Sequence, residues 1–174
     1  MIPHGGTEGS VDQETAAIDF IQARFPTAVL AVAESSGQKW IEVARDQIIT
    51  VLTALRDEQG WDMLMDLTAV DYLGMETPER FQMVYELYSL AKNSYFRVKC
   101  WVPESDPTVD TLTHLWKAAP WAEREVWDMY GIRFNGNNDL RRILTPFSYE
   151  GHPLRKDYPL QGRGERNQFP RYEK

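Results

Sequence analysis

Two stretches with a strict two-residue alternation constrain this chain most. In FQMVYELYSL, Phe81, Met83, Tyr85 and Leu87 alternate with Gln82, Val84, Glu86 and Tyr88. In YFRVKCWV, Phe96, Val98, Cys100 and Val102 face one way, while Arg97 and Lys99 face the other. A period of two places successive side chains on opposite faces of a strand, so each stretch needs one buried face. Lys92-Asn93-Ser94 between them is turn chemistry, and the pair reads as an antiparallel hairpin. Cys100 falls on the apolar face and reads as a small core hydrophobe, not as a reactive thiol.

The remaining elements follow from helical spacing and punctuation. Residues 1–9 read as a polar, disordered leader without the basic-then-apolar pattern of a signal peptide. Ser10 with Gln13 suits a capping box, and Ile18, Ile21 and Phe25 mark a first helix that Pro26 helps to end. Ala28–Ala33 and Lys39–Val43 read as short strands joined by a turn at Ser35-Ser36-Gly37. Ile48, Val51, Leu52 and Leu55 mark a second helix stopped near Gly60, and Asp62–Leu73 is a further strand. Asp106-Pro107 predicts the start of a short helix carrying Val109, Leu112 and Trp116.

Pro120 then opens a charged, aromatic helix with an apolar stripe at Ala119, Ala122, Val126 and Met129. Glu123, Arg124, Glu125 and Asp128 lie mostly around its other faces, expected as a solvated or interface surface, with Arg124 in reach of Asp128. Gly131 is placed as a left-handed C-cap, with Ile132 folding back onto the last turn. The order α-β-β-α-β-β-β-α-α predicts an α+β domain over residues 10–134, with a largely antiparallel or mixed sheet and helices packed on it.

Residues 135–174 form a different kind of segment, an extended C-terminal arm. They show no sustained period, yet keep Leu140, Ile143, Leu144, Phe147, Tyr149, Leu154, Tyr158 and Leu160. Disordered tails lack such groups, and ordinary loops run to only about 4–6 residues. The arm is therefore expected to dock along a surface, of its own domain or of another chain. Arg141, Arg142, Arg155 and Lys156, set among those apolar residues, are expected to pair with carboxylates as the arm docks.

Composition narrows the partners. With 43% hydrophobic and 26% charged residues the 174-residue chain is globular. The mean hydropathy of −0.49 and the lack of a long apolar run argue against a membrane-spanning helix. One cysteine forbids an intrachain disulfide and suits a cytosolic protein. Residues 135–174 hold 8 Lys and Arg against 5 Asp and Glu, a balance of +3, and the rest holds 11 against 21, a balance of −10, giving −7 in all. A basic arm on an acidic body fits its own domain or an acidic partner. A nucleic-acid partner is not expected at a pI near 5.0.

No site for chemistry emerges. Iron–sulfur clusters need several thiolates, Gly162-Arg163-Gly164 lacks a strand–helix context, and His4, His114 and His152 match no zinc spacing. Glu123 and Glu125 diverge by roughly 200° on a helix and cannot share a proton with His152 as base. No catalytic, cofactor-binding or metal-binding residue is expected on this chain.

The motif E-R-E-x-x-D-M-Y-G (Glu123 to Gly131), then D-L-R-R-I-L (Asp139 to Leu144), then G-H-P-L-R-K-D-Y-P (Gly151 to Pro159) resembles the thirty-kilodalton-type, or C-type, subunit of respiratory complex I, the NADH:quinone oxidoreductase. Where that family usually carries His-Pro, this chain has Asn137 and Asn138. The resemblance implies a peripheral-arm subunit on the cytoplasmic side of the inner membrane, membrane-associated only through the complex. It implies no cofactor here, with FMN and iron–sulfur clusters on other subunits of an assembly that passes electrons from NADH to quinone and translocates protons. Its implied partners are the large (D-type) subunit that frames the quinone pocket and neighbouring iron–sulfur subunits. Carried onto this sequence, the interface and motif residues are Glu123, Arg124, Glu125, Asp128, Gly131, Arg141, Arg142, His152, Pro153, Arg155, Lys156 and Asp157. The equivalent scaffold subunit of a membrane-bound hydrogenase or formate hydrogenlyase is the nearer alternative. A self-contained module with its tail on its own body is the farther one.

Overall fold

The alternating stretches become the centre of a mixed five-stranded sheet of order β1-β2-β5-β4-β3. A computed structural model describes residues 8–164, with side chains from Gln13 onward. Its elements are α1 (Glu8–Arg24), β1 (Val29–Ser35), β2 (Gln38–Val43), a 3-10 turn (Arg45–Gln47), α2 (Ile48–Asp57), β3 (Met63–Asp71), β4 (Phe81–Ser89), β5 (Ser94–Val102), β6 (Thr108–Asp110), α3 (Ala119–Tyr130) and β7 (Arg133–Asn135). The predicted leader 1–9 lies mostly outside the described residues, and α1 begins at Glu8, ahead of the expected cap at Ser10.

β4 and β5 pair antiparallel from Phe81 opposite Val102 to Ser89 opposite Ser94, and β3 pairs antiparallel with β4. β2 joins β5 in parallel, Ile41 opposite Val98, which makes the sheet mixed. β1 and β2 form a hairpin whose two-residue turn, Ser36 and Gly37, has both φ angles positive (52° and 76°). Such a turn matches the natural twist of a two-stranded ribbon.

One face of the sheet carries the core. Ile41, Val43, Leu67, Ala69, Phe81, Met83, Tyr85, Leu87, Phe96, Val98, Cys100 and Val102 are buried there with Ile18 and Ile21 of α1, Val51, Leu52 and Leu55 of α2, and Val126 of α3. Burial pushes the Cys100 thiol up to about 12, so it is an inert core residue. On the opposite face, Glu42 accepts hydrogen bonds from Gln82 and Trp101, and Lys99 lies 4.1 Å from the centre of the Trp40 ring.

The expected short helix beginning at Asp106-Pro107 does not form. Thr108–Asp110 is instead the short strand β6, parallel to β7, with Val109 opposite Phe134. The Asp106 carboxylate accepts from the Thr108 hydroxyl (2.8 Å) and pairs with Arg45 (3.0 Å) in place of capping a helix. Val109, Leu112 and Trp116 are buried all the same. Their spacing reflects burial in the common core, with Trp116 Nε1 donating to the Asp62 carbonyl (2.9 Å), and β-branched Thr108 and Val109 suit a strand.

Candidate docking site

The arm is built onto the C-terminal end of α3, and the reason begins in the helix itself. The last four carbonyls of any α-helix lack intrahelical partners. Here Gly131, at φ 76°, caps the Trp127 carbonyl with its N–H (2.9 Å). The other three are met by the arm. His152 Nδ1 lies 3.0 Å from the Asp128 carbonyl, the Leu154 N–H donates to Met129 (3.1 Å), and Arg155 Nε donates to Tyr130 (2.5 Å). The carbonyl only accepts, so His152 is the Nδ1–H tautomer. Burial, opposed by the bond to the Asp128 carbonyl and helped by Arg155 and Arg142 nearby, lowers its pKa and favours the neutral form. A Cβ on Gly131 would lie 2.5 Å from His152 Nε2 and 2.7 Å from Arg155. Glycine is thus required both by backbone angle and by the close seat of the arm.

A second anchor is the Asp128 carboxylate, fully buried in the groove between helix and arm. One oxygen accepts the consecutive N–H groups of Ile143, Leu144 and Thr145 (3.0, 2.8 and 2.9 Å). The other takes Arg142 Nη1 (2.7 Å) and the Thr145 hydroxyl (2.5 Å). Burial alone would raise this acid, but the donors from Thr145, Arg142 and Ile143 overtake it and hold its pKa down to about 2. The Arg142 guanidinium also lies 5.4 Å from the Trp127 ring centre and 5.5 Å from that of Tyr149.

Further along, the arm reaches the sheet. Asp71, at the end of β3, forms a two-bond ion pair with Arg80 (3.0 and 2.8 Å) and accepts the Lys156 N–H (2.9 Å). Asp157 joins the same arginine at 2.8 Å, and Glu104 does so from the loop after β5. Burial would raise Asp71, yet Arg80 and the Lys156 and Leu73 N–H groups hold it below its ordinary value.

These contacts revise the expected solvated face of α3. Glu123, Arg124 and Asp128 are buried, and Glu125 stays exposed. Arg124 does not pair with Asp128; it donates to the Arg141 and Arg142 carbonyls (3.1 Å each) and lies 5.2 Å from the Trp121 ring centre. The arm supplies a better charge partner, because Arg142 approaches Asp128 together with three backbone donors. Glu123 accepts from the Thr111 hydroxyl (2.7 Å), the Leu112 N–H (2.6 Å) and Asn137 Nδ2 (2.8 Å), and its pKa is raised by burial against these bonds. Asn137 thereby bridges the arm to the helix at the position where the family pattern differs. Glu123, Glu125 and His152 each face different surroundings, so the carboxylate-pair arrangement is absent. Among the described residues, no group of three or more His, Cys, Asp or Glu is placed to hold a metal ion.

Of the remaining predicted residues, Arg141 is exposed and pairs with Asp139 (2.8 Å), and Pro153 lines an open hollow of about 450 Å³ with Tyr149, Leu154, Tyr158 and Leu160. Sequence reasoning does not single out Asp71, Arg80 or Thr145. A buried-parity aspartate at the end of an apolar strand is the available signal for Asp71.

Arg142, His152 and Arg155 of the arm are turned inward and Leu140 packs against the core, whereas four of its large apolar groups are turned outward. Phe147 is 93% exposed, Leu160 101%, Leu144 61% and Leu154 49%. Residues 41–164 match the family described as the respiratory-chain NADH dehydrogenase 30 Kd subunit. The chain is 43% identical over 142 residues to the C-type subunit of the NADH-quinone oxidoreductase of Geobacter sulfurreducens, covering 82% of this chain and 87% of that protein. It is 45% identical over 148 residues to the protein of the same name from Trichlorobacter lovleyi, covering 85% and 91%. Among solved structures, a trypsin-resistant fragment of Nqo5 superposes with a TM-score of 0.65 at 33% identity, covering 74% of this chain and 99% of the fragment. These relatives bear the oxidoreductase name and not that of the hydrogenase-type alternative. With residues 41–164 matching the family and an α+β body that superposes on Nqo5, the chain belongs to the 30 kDa, or C-type, subunit family of the respiratory-chain NADH dehydrogenase.

Proposed function

We propose that this chain is an assembly subunit of an NADH-quinone oxidoreductase, acting in turnover only as part of the complex and holding no cofactor of its own. Its arm is a pre-formed docking strip. The observation that carries this is the exposure of Phe147 and Leu160 on a segment that is otherwise hydrogen-bonded to its own body. Large apolar groups left in water on a segment that is fastened at several other points are what an unfilled interface presents. Ordering the strip in advance lowers the entropic cost of association.

The partner is the large subunit that frames the quinone pocket, with iron–sulfur subunits beside it. FMN and the clusters reside on those neighbours, and association with the cytoplasmic face of the inner membrane comes through them. No described helix is long and apolar enough to cross a membrane, which fits this peripheral place.

The test is recovery of the tagged full chain from solubilised membranes, wild type against Phe147→Ser with Leu160→Ser. Wild type should bring down flavin-containing, NADH-oxidising and iron–sulfur subunits. The double variant should keep the melting temperature of the isolated chain while losing those partners. Normal assembly of the variant, or NADH oxidation or quinone reduction by the isolated chain, would overturn the reading.

A further inference from the structure

The two outer strands of the sheet are treated very differently. The β3 edge is guarded: it carries a register shift between Leu64 and Asp66, the Asp66 carboxylate accepts the Leu67 N–H (2.9 Å), and α3 packs against the strand. A bulge, with a charged side chain beside it, blocks edge-to-edge pairing. β1, at the opposite edge, has one register shift at its start, between Val29 and Ala31, and only light packing from α1. From Ala31 to Ser35 its register with β2 is regular, and among the described residues it pairs with β2 alone. Its sequence, VLAVAES, contains no proline or lysine, and Leu30 and Val32 are 61% and 44% exposed.

A long apolar edge with open backbone groups is a template for one thing, another extended strand. We propose that β1 receives an extended segment of a neighbouring subunit, which continues the five-stranded sheet beyond Ala31–Ser35; this rests on the assembly reading above. The backbone specifies an extended segment, and charge specifies its flanks. Residues 1–134 hold 11 Lys and Arg against 21 Asp and Glu, and the one charged residue of β1 is Glu34. A segment flanked by Lys or Arg is attracted to this body, whereas a second copy of the chain brings a second acidic body against it.

Hydrogen exchange tests this on the full chain purified alone and on the membrane-extracted complex that contains it. The outward amides within Ala31–Ser35 should exchange at least tenfold more slowly in the complex. Val32→Lys should leave the melting temperature of the isolated chain unchanged and remove that protection. A chain that co-purifies with the complex but exchanges at β1 as it does alone overturns the strand proposal and leaves the assembly reading standing. Equal protection in the isolated monomer would mean that the chain covers its own edge, and protection that tracks a concentration-dependent dimer would assign the edge to a second copy; either overturns the proposal. Failure to co-purify with any flavin or iron–sulfur subunit overturns the assembly reading and this inference with it.

Discussion

Asp128 and Thr145 are joined twice: the carboxylate of the first accepts both the hydroxyl (2.5 Å) and the backbone N–H (2.9 Å) of the second. Together with the Ile143 and Leu144 N–H groups and Arg142, this turns one side chain of α3 into the fastening of the arm. Asparagine is nearly isosteric, but it has one acceptor oxygen and would turn an NH2 toward Arg142 and Thr145. Breaking a buried, multiply bonded ion pair costs about 3 kcal/mol or more. Asp128→Asn should therefore raise amide exchange at residues 143–145 by about 100-fold in the isolated chain. The β4–β5 amides should change little, because the core on the sheet face does not depend on this contact.

The same carboxylate sets a pH dependence. Its pKa is about 2 when folded against an ordinary 3.8, so the folded arm favours the ionised form. That stabilisation is complete above about pH 4 and is lost as pH falls through about 2, and it amounts to roughly 2 kcal/mol. Asp71 and Asp157 are also depressed and act in the same direction. Glu123 is raised by burial and acts in the opposite direction, since the folded protein takes up its proton before the unfolded chain does. His152, whose pKa is lowered in the seated arm, acts in the same direction as Asp128 from its ordinary 6.5 downward, so acidification from neutral pH should weaken the arm somewhat and loosen it steeply below about pH 4. The backbone amide resonances of Ile143, Leu144 and Thr145 should titrate with a midpoint near 2, and a midpoint near 4 would show that the carboxylate is not held as the geometry requires.

Much of this is legible in the sequence, for identifiable reasons. The alternation of Phe81–Leu87 and Phe96–Val102 marks the centre of the sheet and its buried face, because strand period and burial are the same signal there. The Gly131 cap is readable from its place after Tyr130. The stretch after Pro107 misleads because Val109, Leu112 and Trp116 are buried at intervals that mimic a helix, and parallel pairing with β7 is a distant contact that no local pattern announces. The face of α3 misleads for the same reason. Glu123, Arg124 and Asp128 look solvated by local rules, but Glu123 is buried against Thr111 and Leu112 before it as well as Asn137 after it, and Arg124 and Asp128 are met by a segment 14 or more residues later. Local rules leave open whether the cations of the arm meet its own body or a partner. Arg142 and Arg155 meet Asp128 and the end of α3, which leaves Phe147 and Leu160 as what the arm offers outward.

Glycine at 131 separates two effects that a control can resolve. Alanine at a left-handed position costs roughly 1 kcal/mol from backbone angle alone. Gly74, in the loop after β3, has a similar φ (81°) with nothing within 4 Å of a built Cβ, so Gly74→Ala should report that backbone cost by itself. Gly131 has φ 76°, and a Cβ there meets the His152 ring at 2.5 and 2.6 Å and the Arg155 guanidinium at 2.7 Å. The imidazole would have to move, giving up its bond to the Asp128 carbonyl, and Arg155 would leave Tyr130. Two lost hydrogen bonds at a helix end add about 1–3 kcal/mol. Gly131→Ala should therefore lower stability to urea clearly more than Gly74→Ala, and should also weaken recovery of the chain in the assembled complex, which Gly74→Ala should not. Equal losses from the two substitutions would mean that His152 and Arg155 are free to shift without consequence, and that the arm is not seated on the end of α3.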